Sequence, residues 1–357
     1  MRVSKIPGLG RFGIFIDDLD LTNMTDEQWF EIGRLHLENL VTIIRDVRFP
    51  LDLYNTRMDQ WGRNRQSAEY LLLKKYSYPT TADLAKAVQS GQLTLDPADM
   101  LFVKTAFDIV TRDHRGDPTH IIKVTGKRDA DGNPLGMFAE GELLWHSNES
   151  GTLTFTPGVA LLGSEGMIGS ATGFVTTTDY YESVSNSFRS ELDDMMLVHK
   201  FTPGKINPGL RDDQDFLMYR NMCPVDHVKI PLVIRSPGGI SGLHYSINTI
   251  HRIDGLSEAE SQRIFDIINR DLFTDRYVYD HWYQRDNDLL LFDNSITLHR
   301  RLGGITNRLA YRIQHDYSNL ITEPYQPYRQ DEIAVLYNEQ IADIVRVLQI
   351  PDFKLPQ

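Results

Sequence analysis

The sequence has almost no cysteine. Cys223 is the only one in 357 residues, so no disulfide can form within the chain. One thiolate is also too few for a Cys-based zinc or iron–sulfur site, because those sites use several cysteines. A secreted scaffold held together by disulfides is therefore excluded, and a metal site would have to be built from other side chains.

Positive charge and long apolar runs are scarce as well. The 37 Lys and Arg residues are outnumbered by 49 Asp and Glu residues, which gives a formal net charge of −12. Nucleic-acid surfaces depend on clustered Lys and Arg, so we expect no nucleic-acid partner. No apolar stretch approaches the roughly 18 residues of a membrane span, and the N-terminus lacks the apolar core of a signal peptide. We therefore expect a cytoplasmic protein without membrane association.

Apolar residues, in contrast, make up 41% of the chain, enough for a large core. From about 153 to 250, short apolar runs are separated by Gly, Pro, Asn or Asp, which is typical of a β-sandwich or barrel. One of these runs, LHYSINTI, is predicted to be a single strand. Further predicted strands are 12–21, 41–45, 288–294 and 308–314. The sequence thus predicts a mainly β fold with helical additions (α+β).

The helical additions are indicated by capping-box patterns at Thr25 and Ser257. Segment 50–120 reads as mostly helical or irregular. We predict a single domain over 1–357, with a helical insert around 50–125 and a C-terminal helix around 331–348.

Two distant segments carry residues that suggest a metal site. The first, LLWHSNE, contains His146, and the second, DLLLFDNSITLHRRLGGITNRLAYR, contains His299. Iron that activates oxygen needs protein ligands on one face and open positions opposite, which two histidines and a carboxylate supply in the facial triad. Residues i and i+2 of a strand point to the same side, so His146 and Asn148 are expected to face one metal.

Arg308 and Arg312 follow His299 on the next predicted strand. The co-substrate 2-oxoglutarate chelates iron through its keto-acid end, and its far carboxylate needs a buried cation, for which Arg is well suited. Any one of these histidines or arginines would more often be structural or exposed. Their joint order is what favours an iron- and 2-oxoglutarate-dependent site.

These motifs resemble the taurine dioxygenase family (TauD/TfdA type, including clavaminate-synthase-like enzymes). GELLWHSNES resembles its first metal segment and LLLFDNSITLHRR with the following R-x-x-x-R its closing segment, within a similarity over roughly 10–318. The resemblance implies a double-stranded β-helix, or jelly roll, that uses Fe(II), O2 and 2-oxoglutarate. It also implies that His299 is the distal iron ligand, that Arg308 and Thr172 hold 2-oxoglutarate, and that Arg312 lies near the substrate or the co-substrate.

Position 148 departs from that family's pattern, which has Asp or Glu two residues after the first His. Asn148 could bind iron through its side-chain oxygen, or leave the position to water or a halide, as in related halogenases that have a small residue there. Glu149 could take the position if a bulge reverses the alternation of the strand. We favour Asn148 facing the metal. The missing carboxylate makes the site one charge unit more positive, which weakens iron retention, and impaired catalysis is a further alternative.

Two more histidines lie at the ends of the LHYSINTI segment: His244 is its second residue, and His251 follows it directly. By the resemblance this region lies near the substrate, so His244 is a candidate substrate contact, although a structural role is the more frequent one for such a histidine.

The function predicted from the sequence is oxidative decarboxylation of 2-oxoglutarate coupled to hydroxylation of an unactivated C–H bond of a small molecule. The alternatives are a halogenase or desaturase on the same scaffold, or a non-catalytic jelly roll that binds a ligand. A zinc hydrolase is disfavoured because the sequence offers no third histidine or Glu-x-x-His pattern for it. The C-terminal helix and the resemblance predict a homo-oligomer.

Overall fold

β-Strands form the framework of the computed structural model. The model describes residues 1–48, 50–65, 73–95, 110–112, 118–128, 130, 132, 135–136, 141–150, 155–200, 227–303 and 307–325. The strands are β1 Arg2–Lys5, β2 Ile14–Asp17, β3 Val41–Ile44, β4 Val110–Arg112, β5 Pro118–Thr125, β6 Leu143–His146, β7 Gly158–Glu165, β8 Ser170–Thr176, β9 Met196–His199, β10 Val228–Pro231, β11 Val233–Arg235, β12 Ser241–Leu243, β13 Ile250–Ile253, β14 Val278–Trp282, β15 Leu289–Asp293, β16 Thr297–Gly303 and β17 Leu309–His315. The helices are α1 Asp26–Asn39, α2 Leu51–Trp61, α3 Thr81–Gln89, α4 Thr178–Ser183, α5 Asn186–Asp193 and α6 Glu258–Leu272.

Two sheets face each other and enclose the main apolar core. The larger has the strand order β1-β2-β3-β15-β7-β17-β5-β4, and the smaller has the order β14-β8-β16-β6. Phe174 of the smaller sheet packs against Phe292 of the larger one, with ring centroids 5.2 Å apart. Leu161 and Leu290 belong to the same buried cluster. The predicted mainly β class is confirmed, and two facing sheets are the arrangement expected of a jelly roll.

Helices α1 and α2 cover the other face of the large sheet. Trp29 and Trp61, one from each helix, are fully buried there and stack with ring centroids 4.4 Å apart. Such stacking contributes roughly 0.5–1.5 kcal/mol beyond the burial of the rings. The large sheet is therefore buried on both faces, in the part where its strands Val41–Ile44 and Leu289–Asp293 read as continuous apolar runs.

Both predicted capping boxes are present. Thr25 and Ser257 accept hydrogen bonds from the backbone N–H groups of Gln28 and Glu260, whose side chains bond back to the cap residues. These reciprocal bonds satisfy N–H groups that have no partner within the helix, and so fix where α1 and α6 begin.

Three predicted elements are not matched by the helices and strands of the described residues. LHYSINTI is not one strand: β12 ends at Leu243, β13 begins at Ile250, and a turn closed by Thr249 N–H to Ser246 C=O separates them. The insert around 50–125 contains helices α2 and α3 but ends in strands β4 and β5, which extend the large sheet. The C-terminal helix predicted at 331–348 lies outside the described residues. No helix in the described ranges is long and apolar enough to cross a membrane.

Candidate metal and co-substrate site

Cross-strand pairing brings the two predicted histidines together. His146, the last residue of β6, lies directly opposite His299 of β16 in antiparallel register. Directly opposed residues point to the same face of a sheet. Their ring centroids are 4.1 Å apart, with an angle of 45° between the ring planes. This is close enough for both rings to reach one metal ion with bonds of about 2 Å.

The hydrogen bond of His146 determines which ring nitrogen can bind a metal. Its Nδ1 lies 2.6 Å from the carbonyl oxygen of Leu144. A carbonyl only accepts, so Nδ1 carries the proton and Nε2 keeps its lone pair. Burial lowers the pKa of His146 to about 4 and that of His299 well below its usual value, and the nearby positive charge of Arg312 lowers both further. Both rings are therefore neutral near pH 7, which is the form that binds metals.

Asn148 lies in a turn, two residues after His146. The strand expected to carry both His146 and Asn148 ends at His146, and residues 148–150 form a turn in which Glu149 has a left-handed backbone, φ 66°. The strand-alternation argument for position 148 is therefore wrong. The Nδ2 atom of Asn148 is buried and has no hydrogen-bond partner among the described residues. Because an amide can be turned over with almost no change of shape, the carbonyl oxygen can occupy that buried position equally well.

The backbone of Asn148 is clamped by a second buried asparagine. Asn294 Oδ1 accepts the N–H of Asn148 at 2.7 Å, and Asn294 Nδ2 donates to the carbonyl of Asn148 at 2.9 Å and to that of Thr156 at 3.0 Å. Asn294 lies five residues before His299 in the chain. Its contact with position 148 joins residues far apart in the chain, and local spacing carries no signal for such a contact.

Glu149, the alternative third donor, is engaged elsewhere. Its Oε1 accepts a hydrogen bond from Gln314 Nε2 at 2.9 Å and forms an ion pair with Arg65. Among the described residues, no group of three or more His, Cys, Asp or Glu side chains is placed to hold a metal ion. The histidine pair is thus not completed by a carboxylate in this part of the chain.

His244 supports the same turn. Its Nδ1 donates to the carbonyl of Ser295 at 2.7 Å, and its Nε2 lies 3.0 Å from the hydroxyl of Ser150. Burial lowers its pKa to about 4. Both ring nitrogens are used within the protein, so the geometry favours the structural role over the substrate contact expected for His244. His251 lies apart, at the surface, 3.2 Å from Glu258.

Arg308 forms a buried cationic site between the sheets. Only 3% of the residue is exposed, and its Nε and Nη1 atoms have no hydrogen-bond partner among the described residues. Its guanidinium lies 5.6 Å from the ring centroid of Tyr283. The hydroxyl of Tyr283 is 3.0 Å from that of Thr172. A buried cation whose N–H donors have no acceptor destabilises the folded protein unless an anion binds it.

Two further arginines make the site strongly positive. Arg312, on β17, lies near enough to His146 and His299 for its charge to lower their pKa values. Arg301 donates from Nε and Nη2 to the carbonyl of Gly141 at 3.1 and 2.8 Å. Burial, together with repulsion from Arg308, lowers the pKa of Arg301 to about 9, so it stays charged near neutral pH. Two neutral imidazoles, an amide and buried guanidiniums fit a divalent metal that is bound together with a dianionic chelator.

Comparison with known proteins gives a consistent picture. The family model of the taurine catabolism dioxygenase TauD, TfdA family matches residues 91–314. The crystal structure of AAD-2 in complex with Mn(II) and N-oxalylglycine is 16% identical, with a TM-score of 0.60 over 91% of this chain and 99% of that one. A taurine dioxygenase from Burkholderia xenovorans is 16% identical, with a TM-score of 0.59 over 95% of this chain and 99% of that one. Such likenesses show the fold, and no curated protein matched the sequence.

Proposed function

The chain belongs to the taurine catabolism dioxygenase TauD, TfdA family, and from this premise we propose how its residues carry out the reaction. It is an Fe(II)- and 2-oxoglutarate-dependent dioxygenase, with O2 as the second co-substrate. Our proposal concerns the residues that hold the metal and the co-substrate, the kind of substrate, and the outcome of the reaction.

His146 and His299 are the proposed iron ligands, with the side chain of Asn148 as the third, neutral donor. The observation that carries this proposal is the 4.1 Å separation of the two neutral rings in directly opposed positions. Asn148 is preferred over Glu149 because the carboxylate of Glu149 is already paired with Arg65 and Gln314. A neutral third donor leaves the bound metal with one more unit of positive charge than a carboxylate would.

Arg308 and Thr172 are the proposed holders of the far carboxylate of 2-oxoglutarate. The guanidinium is buried and its Nε and Nη1 lack partners among the described residues, so a carboxylate would satisfy donors that are otherwise left without bonds in a dry site. Charge-assisted bonds of this kind are about twice as strong as neutral ones.

The proposed reaction inserts one oxygen atom of O2 into a C–H bond of a small molecule. The other oxygen atom enters succinate, and the carboxylate next to the keto group of 2-oxoglutarate leaves as carbon dioxide. A bound iron would activate O2, which is the oxidant for both changes. The chain's own share is to fix the co-substrate, aim one C–H bond of the substrate at the metal, and exclude water.

The substrate class we propose is a small molecule with an anionic group. Arg312 and Arg301 place positive charge near the histidine pair, and that charge would attract an anionic group of the substrate. A homo-oligomer remains a prediction from the sequence.

Anaerobic addition of Fe(II) and then 2-oxoglutarate tests this function. We expect a visible charge-transfer band, and succinate formation once O2 is admitted with small anionic substrates. Arg308→Met, which keeps the length of the side chain but removes its charge, should weaken 2-oxoglutarate binding. His251→Ala, at an exposed histidine far along the chain from either metal segment, should leave the band and the succinate yield unchanged. A protein with neither band nor succinate would instead be a ligand-binding jelly roll.

Halogenation is the second candidate, and the neutral third position favours it. The absence of a carboxylate donor among the described residues, together with the charge of Arg312 and Arg301, suits an added halide. Turnover with chloride or bromide should then give a halogenated product, detected by mass spectrometry, and Asn148→Gly should increase its share. If saturating halide yields only hydroxylated product with both proteins, the halogenase hypothesis is wrong.

A further inference from the structure

Tyr283 is a third buried residue beside Thr172 and Arg308. It follows β14 directly and continues the pairing of that strand with β8, because its N–H donates to the carbonyl of Ser170 at 3.1 Å. His281 lies opposite Thr172 in the same pairing. The alternation of side chains along a strand therefore places His281, Tyr283 and Thr172 on one face, towards the inside of the fold.

The phenol of Tyr283 touches both residues proposed to hold the far carboxylate. Its hydroxyl is 3.0 Å from the hydroxyl of Thr172, and its ring lies 5.6 Å from the guanidinium of Arg308. Tyr283 is 2% exposed. A hydroxyl can donate only one hydrogen bond, so when Thr172 and Tyr283 bond to each other, one of the two still has its hydrogen free for a third group.

We propose that the hydroxyl pair of Tyr283 and Thr172 acts as one unit that donates a hydrogen bond to the far carboxylate of 2-oxoglutarate, with Tyr283 as a co-substrate-binding residue. This inference rests on the proposed function of Arg308 and Thr172. A carboxylate accepts about four hydrogen bonds, so the guanidinium alone leaves part of its capacity unused, and the hydroxyl pair lies beside that guanidinium.

The ring of Tyr283 is held from behind by a separate pair of residues. His281 packs edge-on against it, with ring centroids 4.9 Å apart. His281 Nε2 in turn lies 3.0 Å from the carboxylate of Asp288, and both residues are buried. The phenol is therefore fixed before the co-substrate arrives, which reduces the entropy lost on binding.

The test is calorimetric binding to the Mn(II)-loaded protein, because Mn(II) and N-oxalylglycine, an isostere of 2-oxoglutarate, allow no turnover. Tyr283→Phe removes one oxygen atom and should weaken N-oxalylglycine binding about tenfold or more, the loss expected for a hydrogen bond to a charged acceptor. Oxalate chelates the metal but has no far carboxylate, so its affinity should not change. Thr172→Val combined with Tyr283→Phe should lose little more than either single variant, since the two hydroxyls form one unit.

Tyr279→Phe is the matched control, because Tyr279 lies on the same strand and its hydroxyl is 3.3 Å from His281 rather than near Thr172. It should leave both affinities unchanged. Equal losses for oxalate and N-oxalylglycine in Tyr283→Phe, or no loss for either, would overturn the role of Tyr283 alone. A wild-type protein that fails to bind N-oxalylglycine with Mn(II) would overturn the proposed function and this inference with it.

Discussion

Two pairs of histidines, an inner and an outer pair, lie on the two faces of the large sheet. His146 and His299 face the space between the two sheets, where His299 packs against Phe292. The outer pair, His36 of helix α1 and His315 of β17, lies on the other face, where both rings pack against Trp61. Burial lowers the pKa of every one of these four histidines.

The two pairs differ in what surrounds them. His36 uses both ring nitrogens within the protein: Nε2 lies 2.6 Å from the hydroxyl of Tyr317, and Nδ1 lies 3.3 Å from that of Thr42. In the inner pair, His146 and His299, the Nδ1–H of His146 donates a hydrogen bond to a backbone carbonyl, and arginines lie nearby. A buried neutral histidine is therefore not in itself a sign of a metal site. The features that indicate a metal site are the fixed tautomer of His146, the ring of His299 directly opposite it, and the positive charge of the nearby arginines.

The largest expected contrast is between His299→Ala and His315→Gln. Removal of an iron ligand should lower 2-oxoglutarate-dependent succinate formation by about 1,000-fold or more, since metal assistance is worth several kcal/mol. His315→Gln should lower the melting temperature but leave kcat/KM within about threefold. Initial rates and thermal unfolding of both variants measure this. Similar losses of activity in the two variants would remove the distinction between the pairs.

The second-largest effect is expected when acid lowers the stability of the protein through the outer pair, His36 and His315. Burial lowers the pKa values of His36 and His315 to about 3, against about 6.5 in an unfolded chain. Their stabilising contribution is fully present above about pH 6.5 and is lost as the pH falls towards 3, by about 1.4 kcal/mol per pH unit for each histidine. Asp293, whose pKa burial raises to about 7, acts in the opposite direction between about pH 4 and 7.

A comparison of wild type with His315→Gln separates the effect of His315 on stability from the effects of His36 and Asp293. The free energy of unfolding of metal-free wild type minus that of His315→Gln should fall by about 1.4 kcal/mol per pH unit between pH 6 and 4. Denaturant titrations at several pH values give this difference. A difference that stays constant with pH would show that His315 is not held neutral.

Loss of the hydrogen bonds from Asn294 to the backbone of Asn148 should weaken metal binding at the inner pair and leave the outer pair unchanged. Asn294→Leu keeps the approximate volume but removes the hydrogen bonds to the backbone of residue 148. Outer contacts that orient metal ligands are typically worth 10- to 100-fold in metal affinity, so Fe(II) binding should weaken by roughly that factor. Competition with a chelator measures it. His315→Gln serves as the control for lost stability, and an equal loss of Fe(II) affinity in that variant would show that the effect is not specific to the clamp.

The smallest effect is expected at the helix that covers the outer pair. Thr25→Ala removes the N-cap of α1 and should cost about 1 kcal/mol of stability, with no change in Fe(II) affinity. Ser257→Ala, at the corresponding cap of α6, should cost a similar amount. Denaturant unfolding of the two variants compares them, and a change in metal affinity on loss of either cap would contradict the separation of the two faces.

Much of the fold could be predicted because local patterns determine it. The capping residues Thr25 and Ser257 predicted the starts of two helices, and the apolar run at 288–294 predicted a strand. The order of His146, His299 and the two arginines was enough to indicate the chemistry. The run from Leu243 to Ile250 was predicted as one strand, but a turn interrupts it. There the hydroxyl of Ser246 accepts the N–H of the distant Ser147 and donates to Asn248, and the alternation of the run gives no signal for the first of these bonds.

The site was less predictable where it depends on contacts between distant residues. Asn294 meets Asn148, Gln314 meets Glu149, and Tyr283 meets Thr172, each across more than 100 positions. Nothing in local spacing marks such a pair. Asn148, the proposed third metal ligand, was also expected on a strand, whereas it lies in a turn whose next residue, Glu149, has a left-handed backbone. Hydrogen bonds from the distant Asn294 hold the backbone of Asn148 in that turn.

The clamp formed by Asn294 grips only main-chain atoms of residue 148. The path of the polypeptide at that point is therefore indifferent to which side chain residue 148 carries. Asn, Asp or Gly could occupy position 148 without a change in the path of the loop. A single substitution could therefore alter the proposed third iron ligand while the scaffold stays the same.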